Sequence, residues 1–273
     1  MIELRPYREL GGARHGWLDT RHHFSFAEYY DPKRMNWGNL RVWNDDTIAP
    51  NSGFPRHPHR DMEIITYVRK GAITHQDSLG NRGRTEAGDV QVMSAGTGIA
   101  HSELNQEDET TQIFQIWIMP NETGLPPTWG TKPFPKGERS GFFVTLASGL
   151  PDDSEALAIR ANARLVAATL EVGQSTEYRI TTGRKVYLVP ARGQIEVNGV
   201  VAFGAVALFD GAVSFPNRWV DYRIDRIDRN NRTENIFRFG RFGIPFGSID
   251  IASEGRGGPP WPRSQKLKMH RHK

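Results

Sequence analysis

The chain is written in short extended runs, each closed by turn residues, and no stretch carries the sustained 3.6-residue apolar period of a long amphipathic helix. Leu40-Arg41-Val42-Trp43 ends at Asn44-Asp45-Asp46, and residues 62–68 end at Lys70-Gly71. Residues 72–77 run into Ser78-Leu79-Gly80-Asn81, Gly88-Asp89 opens 90–93, and 112–118 alternates before turning continuously apolar. Turn signals at roughly 8–12-residue spacing predict an all-β sandwich or barrel. No apolar run approaches the roughly 20 residues of a membrane-spanning helix.

The same rhythm returns in the second half. Between Pro120 and Gly149 the composition shifts to Pro126, Pro127, Pro133 and Pro135 among Gly124, Gly130, Gly137 and Gly141, which predicts a long surface connection. Strands are then expected over 156–159, 164–170, 176–180, 185–189 and 194–197, with Asn198-Gly199 as a hairpin turn. A chain of 273 residues accommodates two such β-domains of moderate size. From residue 218 onward 13 Lys+Arg stand against 6 Asp+Glu, a balance of +7, while the remainder carries 22 against 25, or −3. The basic character therefore belongs to the tail. It contains no nucleic-acid motif and reads as a solvated, poorly ordered terminus, so nucleic acid is not an expected partner.

Within the first half, His57-Pro58-His59 and His101-Ser102-Glu103 lie 44 residues apart. Each pair places two potential metal ligands at i and i+2, which a β-strand points to one face. Two such strands brought together deliver three imidazoles and one carboxylate to a point: His57, His59, His101 and Glu103. Glu63 competes for the fourth position, having the same parity as His59 but lying four residues beyond it. Pro58 lacks a ladder donor and belongs at a sheet edge or strand start. The chain has no cysteine, so any metal sits on nitrogen and oxygen donors. One divalent transition ion per chain is expected, Fe(II) foremost, with Zn, Cu, Ni, Co and Mn compatible with the same donors.

The remaining histidines carry less. His22 and His23 are expected to pack or to lie near the site mouth, His75 to be an ordinary strand histidine, and His270 and His272 to be incidental members of the basic terminus. Phe24, Phe26, Trp37, Phe114 and Trp117 read as core or pocket wall. The start, Met1-Ile2-Glu3-Leu4-Arg5-Pro6, lacks the pattern of a secretory signal, and with the absence of cysteine this favours the cytoplasm and no membrane partner.

Longer motifs surround these residues. Gly53-Phe54-Pro55-Arg56-His57-Pro58-His59-Arg60-Asp61-Met62-Glu63, then Gly88, then Ser94-Ala95-Gly96-Thr97-Gly98-Ile99-Ala100-His101-Ser102-Glu103, resemble the pirin family of the cupin superfamily. So do Arg21-His22-His23-Phe24-Ser25-Phe26, Tyr29-Tyr30-Asp31-Pro32 and Met119-Pro120-Asn121-Glu122. The resemblance implies a bicupin of two tandem β-barrels of the double-stranded β-helix type. It implies a metal held by the residues matching His57, His59, His101 and Glu103 in the first barrel and no metal in the second; 102–269 contain no histidine. The expected organisation is a metal-bearing domain over 1–130, a linker over 131–150, a metal-free and incomplete second cupin over 151–220, and a basic disordered tail over 221–273.

By the same resemblance the chemistry is that of a quercetin 2,3-dioxygenase, an oxidoreductase that cleaves the ring of a flavonol with dioxygen and releases carbon monoxide, with Glu103 as the base. The competing reading is a non-enzymatic regulator whose metal supports binding to a transcription factor or a metabolic enzyme. A different dioxygenase or isomerase on the same site is a third. Near Val200 the sequence departs from the family pattern, as a changed reading frame would make it do.

Overall fold

Apolar residues spaced two apart commit these segments to half-buried strands, and the chain realises nearly all of them. The structure is a computed structural model. It describes residues 2–134, 137, 140–181, 183–203, 206–212 and 235–241. Helical backbone among them is confined to the 3₁₀ turn Tyr7–Glu9 and residue 137. The first half contributes β1 (Gly11–Arg14), β2 (Leu18–His22), β3 (Leu40–Ile48), β4 (Ser52–His59), β5 (Glu63–Lys70), β6 (Ala72–Asp77), β7 (Arg82–Glu86), β8 (Val90–Ser94), β9 (Ile99–Asn105), β10 (Thr111–Ile118) and β11 (Thr128–Lys132). The second half contributes β12 (Val144–Ser148), β13 (Leu157–Ala158), β14 (Ala163–Ala168), β15 (Ser175–Ile180), β16 (Arg184–Pro190), β17 (Gln194–Val197), β18 (Val200–Phe203), β19 (Val206–Ala212) and β20 (Asn235–Arg241).

Each half is a pair of sheets. The first has a seven-stranded sheet, β1-β2-β3-β10-β5-β8-β11, over a four-stranded one, β4-β9-β6-β7. The second has a five-stranded sheet, β13-β12-β14-β19-β16, and a four-stranded one, β15-β20-β17-β18. No ladder among the described residues joins the two sheets of a half, so the expected barrels are two-sheeted and not closed by hydrogen bonds. Asn198 (φ 48°) and Gly199 (φ 82°) make the turn between β17 and β18, both in the left-handed region that a two-residue hairpin requires.

The seven-stranded sheet is covered on both faces. Leu18, Ile48, Val68, Ile73 and Ile113 pack between the two sheets of the first half. On the opposite face Ile65, Tyr67, Phe114, Ile116 and Trp43 join Leu146, Ala147, Leu165 and Val189 of the second half in one core. That double burial explains why β5 and the end of β10 read as continuous apolar runs instead of alternating ones. Phe24, Phe114 and the partly buried Trp37 belong to this inter-half core.

Two expectations about the second half change. Within 131–150, expected as linker, β12 is a member of the five-stranded sheet. Within 221–273, expected as disordered tail, Asn235–Arg241 forms β20 between β15 and β17, where its backbone completes ladders on both sides. Charge dominates the composition of the tail and concealed this run. Residues 213–234 and 242–273 lie outside the described residues.

Candidate metal centre

The ligand pairs sit on β4 and β9, adjacent antiparallel strands of the four-stranded sheet, not on strands from opposite sheets. β4 is an edge strand, which tolerates Pro55 and Pro58. Between Phe54 and His57 the register shifts, so Phe54 pairs with Glu103 and His57 with His101. The extra residue in β4 is a bulge, a device that re-aims side chains. It sets His57 directly opposite His101.

The donor atoms of His57, His59 and His101 all lie within 4.8 Å of one another. His57 Nε2 and His101 Nε2 are 3.1 Å apart. His57 Nδ1 donates to the Pro55 carbonyl at 2.6 Å, which leaves the Nε2 lone pair free. Burial, and then the neighbouring imidazoles, push His59 down to about 4. His101 is also pushed down to about 4, chiefly by burial, against the pull of Glu103. At neutral pH the rings of His59 and His101 are unprotonated and, with His57 Nε2, face a common centre. Two nitrogens bonded to one ion at roughly 2.0–2.1 Å lie at most about 4.2 Å apart, so the 3.1 Å pair fits directly and a separation as wide as 4.8 Å closes with a small inward shift of a ring. Three nitrogen lone pairs facing one another call for a cation between them, so the residues fit a divalent transition ion.

Glu103 is buried on the same face of β9 as His101. Its carboxylate is turned into the space between the sheets. Thr66 Oγ1 and Gln91 Nε2 donate to Oε1, each at 2.6 Å, and Gln115 Nε2 donates to Oε2 at 2.5 Å. Burial alone would raise its pKa, but His101 and these donors outweigh it and hold the carboxyl below its ordinary value. The cluster of converging donors consists of the three histidines, and Glu103 stands outside it. Glu63 faces the other way. Its Oε2 accepts from Ser94 Oγ at 2.6 Å and from the Arg160 backbone N–H at 3.0 Å, tying the first half to the second.

Around the histidines, Trp117 lies edge-on to His59 with centroids 5.0 Å apart, and Phe26 lies edge-on to Trp117 at 5.4 Å. These two aromatics are site wall. A cavity of about 480 Å³ reaches His59, lined also by Arg60, Ser78, Thr97, Gly98 and Ile99 among others. His22 is buried with Nδ1 2.9 Å from Asn44 Oδ1, and His23 with Nδ1 3.0 Å from the Tyr187 hydroxyl of the second half. His23 thus packs between the halves, away from the site mouth.

His75 is not an ordinary strand histidine. It is completely buried, its Nδ1 is 3.4 Å from His101 Nδ1, and its Nε2 is 3.2 Å from Asp77 Oδ2. The sequence held a signal for it: His75-Gln76-Asp77 repeats the i,i+2 spacing of His101-Ser102-Glu103.

Comparison with known proteins agrees with this architecture. Residues 3–118 match the pirin family and 145–203 match the quercetinase C-terminal cupin domain. The chain is 72% identical over 202 residues to a Pseudomonas aeruginosa protein provisionally named quercetin 2,3-dioxygenase, covering 74% of this chain and 87% of that protein. It is 43% identical over 203 residues to the Escherichia coli quercetin 2,3-dioxygenase, covering 74% and 86%. The crystal structure of the bacterial pirin YhhW from Escherichia coli in complex with nickel(II) superposes with a TM-score of 0.70 at 36% identity, covering 89% of this chain and 100% of that one. With its paired cupin sheets and three converging imidazoles, the chain belongs to the pirin family.

Proposed function

We propose that this protein is a metal-dependent dioxygenase that opens the heterocyclic ring of a flavonol such as quercetin and releases carbon monoxide. The observation that carries the reading is the convergence of three imidazoles, one of them bordering an open cavity, in a chain whose relatives include a quercetin 2,3-dioxygenase. His57, His59 and His101 would hold the ion, with Glu103 as a fourth donor or as the base. When bound, a divalent transition ion supplies Lewis-acid and redox chemistry at this point.

The protein's own groups account for the rest. Trp117, edge-on to His59 and backed by Phe26, is the apolar surface beside that histidine, and the cavity along Gly98 reaches the same ring. Glu103 is the carboxylate beside the histidines, kept ionised by the donors around it. Oε2 accepts from one of those donors and Oε1 from two, so Oε2 has the freer lone pair. Oε2 is therefore the atom proposed to take the proton of the flavonol 3-hydroxyl. Dioxygen then adds across the ring, which opens with loss of carbon monoxide.

The test pairs elemental analysis of the purified chain with oxygen-electrode assays on a flavonol panel, using one sample. About one transition ion per chain with oxygen uptake is the expected result. A metal-loaded chain that consumes no oxygen on any flavonol overturns the enzymatic reading, and a stoichiometric protein partner would then establish the regulator.

A further inference from the structure

We propose that Asp77 and His75 are positioning residues that lock His101 in the tautomer whose Nε2 lone pair points at the metal centre. The inference rests on the reading of His57, His59 and His101 as a metal site and extends it to two residues outside the ligand set.

The argument follows the donors. Asp77 Oδ1 accepts from the backbone N–H of Leu79 at 2.8 Å and of Asn81 at 3.0 Å, and Oδ2 accepts from Asn81 Nδ2 at 2.8 Å. With His75 Nε2 at 3.2 Å from Oδ2, donors approach both oxygens and leave no place for a proton. The carboxylate is an acceptor only, so His75 Nε2 carries the hydrogen. In the uncharged ring this hydrogen leaves Nδ1 bare, placed 3.4 Å from His101 Nδ1 to accept from it. His101 with its hydrogen on Nδ1 has an unprotonated Nε2, the atom 3.1 Å from His57 Nε2. Each link dictates the next, from a turn at residues 77–81 to the ligand atom.

The surroundings hold the links in place. The side chains of His75 and Asp77 have no solvent exposure, so water cannot substitute for either partner. Trp129 stacks on the His75 ring at 4.8 Å and 10°, fixing its plane. Gly83, opposite His75 in the β6–β7 register, makes that stack possible: a Cβ there would lie 2.3 Å from the Trp129 ring. The turn is in turn stitched to β9, with Ser78 N–H donating to the Ala100 carbonyl at 2.8 Å and Ala100 N–H to Ser78 Oγ at 3.1 Å.

The test reads the tautomer directly. In the metal-free full chain, ¹⁵N-imidazole NMR should show His101 protonated at Nδ1 and bare at Nε2. Asp77→Asn keeps an oxygen for Leu79 and Asn81 and turns an amide N–H towards His75, which reverses every donor along the chain and places the hydrogen on His101 Nε2. His75→Phe preserves the stack on Trp129 and removes the acceptor of His101. Both variants should bind Ni(II), measured by chelator competition, about 10–100-fold more weakly than wild type. Wild-type His101 protonated at Nε2, or both variants within about twofold of wild-type affinity, overturns the proposal. If the wild type binds no Ni(II), the metal reading fails, and the NMR result alone decides the tautomer.

Discussion

At the level of single residues, parity on a strand separates ligands from bystanders. His57, His59 and His101 were legible because i,i+2 spacing is a local property of extended backbone. Parity alone leaves Glu63 and Glu103 compatible, and Glu103 is preferred because it needs only the i,i+2 geometry whereas Glu63 lies four residues beyond His59. Their hydrogen bonds separate them: Glu63 answers to Ser94 and Arg160, Glu103 to Thr66, Gln91 and Gln115. Two substitutions should therefore behave differently. Glu103→Gln is expected to keep the metal content and lower kcat by about 10²–10⁴-fold, the usual contribution of a positioned base. His101→Leu is expected to lose the metal itself. Elemental analysis and oxygen uptake on the same preparations check both. Equal turnover in Glu103→Gln and wild type removes Glu103 as the base.

At the level of elements, the β4–β9 ladder is the device that assembles the site. Its bulge pairs His57 with His101, and its close approach depends on Gly53. Gly53 has φ 151°, and a Cβ there would lie 2.4 Å from the Glu103 carbonyl oxygen and 2.8 Å from Leu104 Cα. Backbone atoms cannot swing aside as a side-chain tip can, so β4 would have to move away from β9. Gly53→Ala should cost about 1–3 kcal/mol of stability, read as a lower denaturation midpoint in urea. Metal affinity should fall with it, because His57 and His59 ride on the displaced strand. A variant that is less stable yet binds metal as wild type does would show that the ladder is not what sets ligand geometry. The edge position of β4 was foreseeable from Pro58. The bulge was not, because it is a relation between two strands that neither sequence segment carries alone.

For the whole molecule, the two halves are joined by a shared apolar core and by polar groups buried in the seam. His23 and Tyr187 meet there, and burial pushes the Tyr187 hydroxyl up to about 12. Burial first, then the Arg5, Arg34 and Arg69 guanidinium groups, push His23 down to about 3 from an ordinary value of 6.5. Between those values the unfolded chain binds a proton that the folded chain refuses. The His23 contribution is therefore complete above 6.5 and is lost as pH falls, by about 1.4 kcal/mol per pH unit at most. Asp46 works in the opposite sense. Burial, with the charges of Asp45 and Glu103, raises it to about 7 from 3.8, so the folded chain holds a proton that the unfolded chain releases, and stability falls as pH rises through that window. The two slopes oppose each other in the wild type. His59 and His101, both held near 4, add slopes of the same sign as His23, so His23→Gln should flatten the rise of the urea midpoint between about pH 4 and about pH 6.5 relative to wild type. Matching pH profiles for variant and wild type would contradict the assignment.

Sequence alone determined the all-β character, the pair of β-domains and the three histidines, because strand alternation, turn chemistry and i,i+2 facing are set by a few neighbouring residues. Tertiary structure decided what depends on pairing between distant segments. The register of β9 against β4 and β6 made His75 a partner of His101, the second half covered the far face of the seven-stranded sheet and claimed Glu63 and His23, and the gap between β15 and β17 drew in β20 from the tail. Hydrogen-bond partners and burial are properties of such pairings, and no local stretch of the chain contains them.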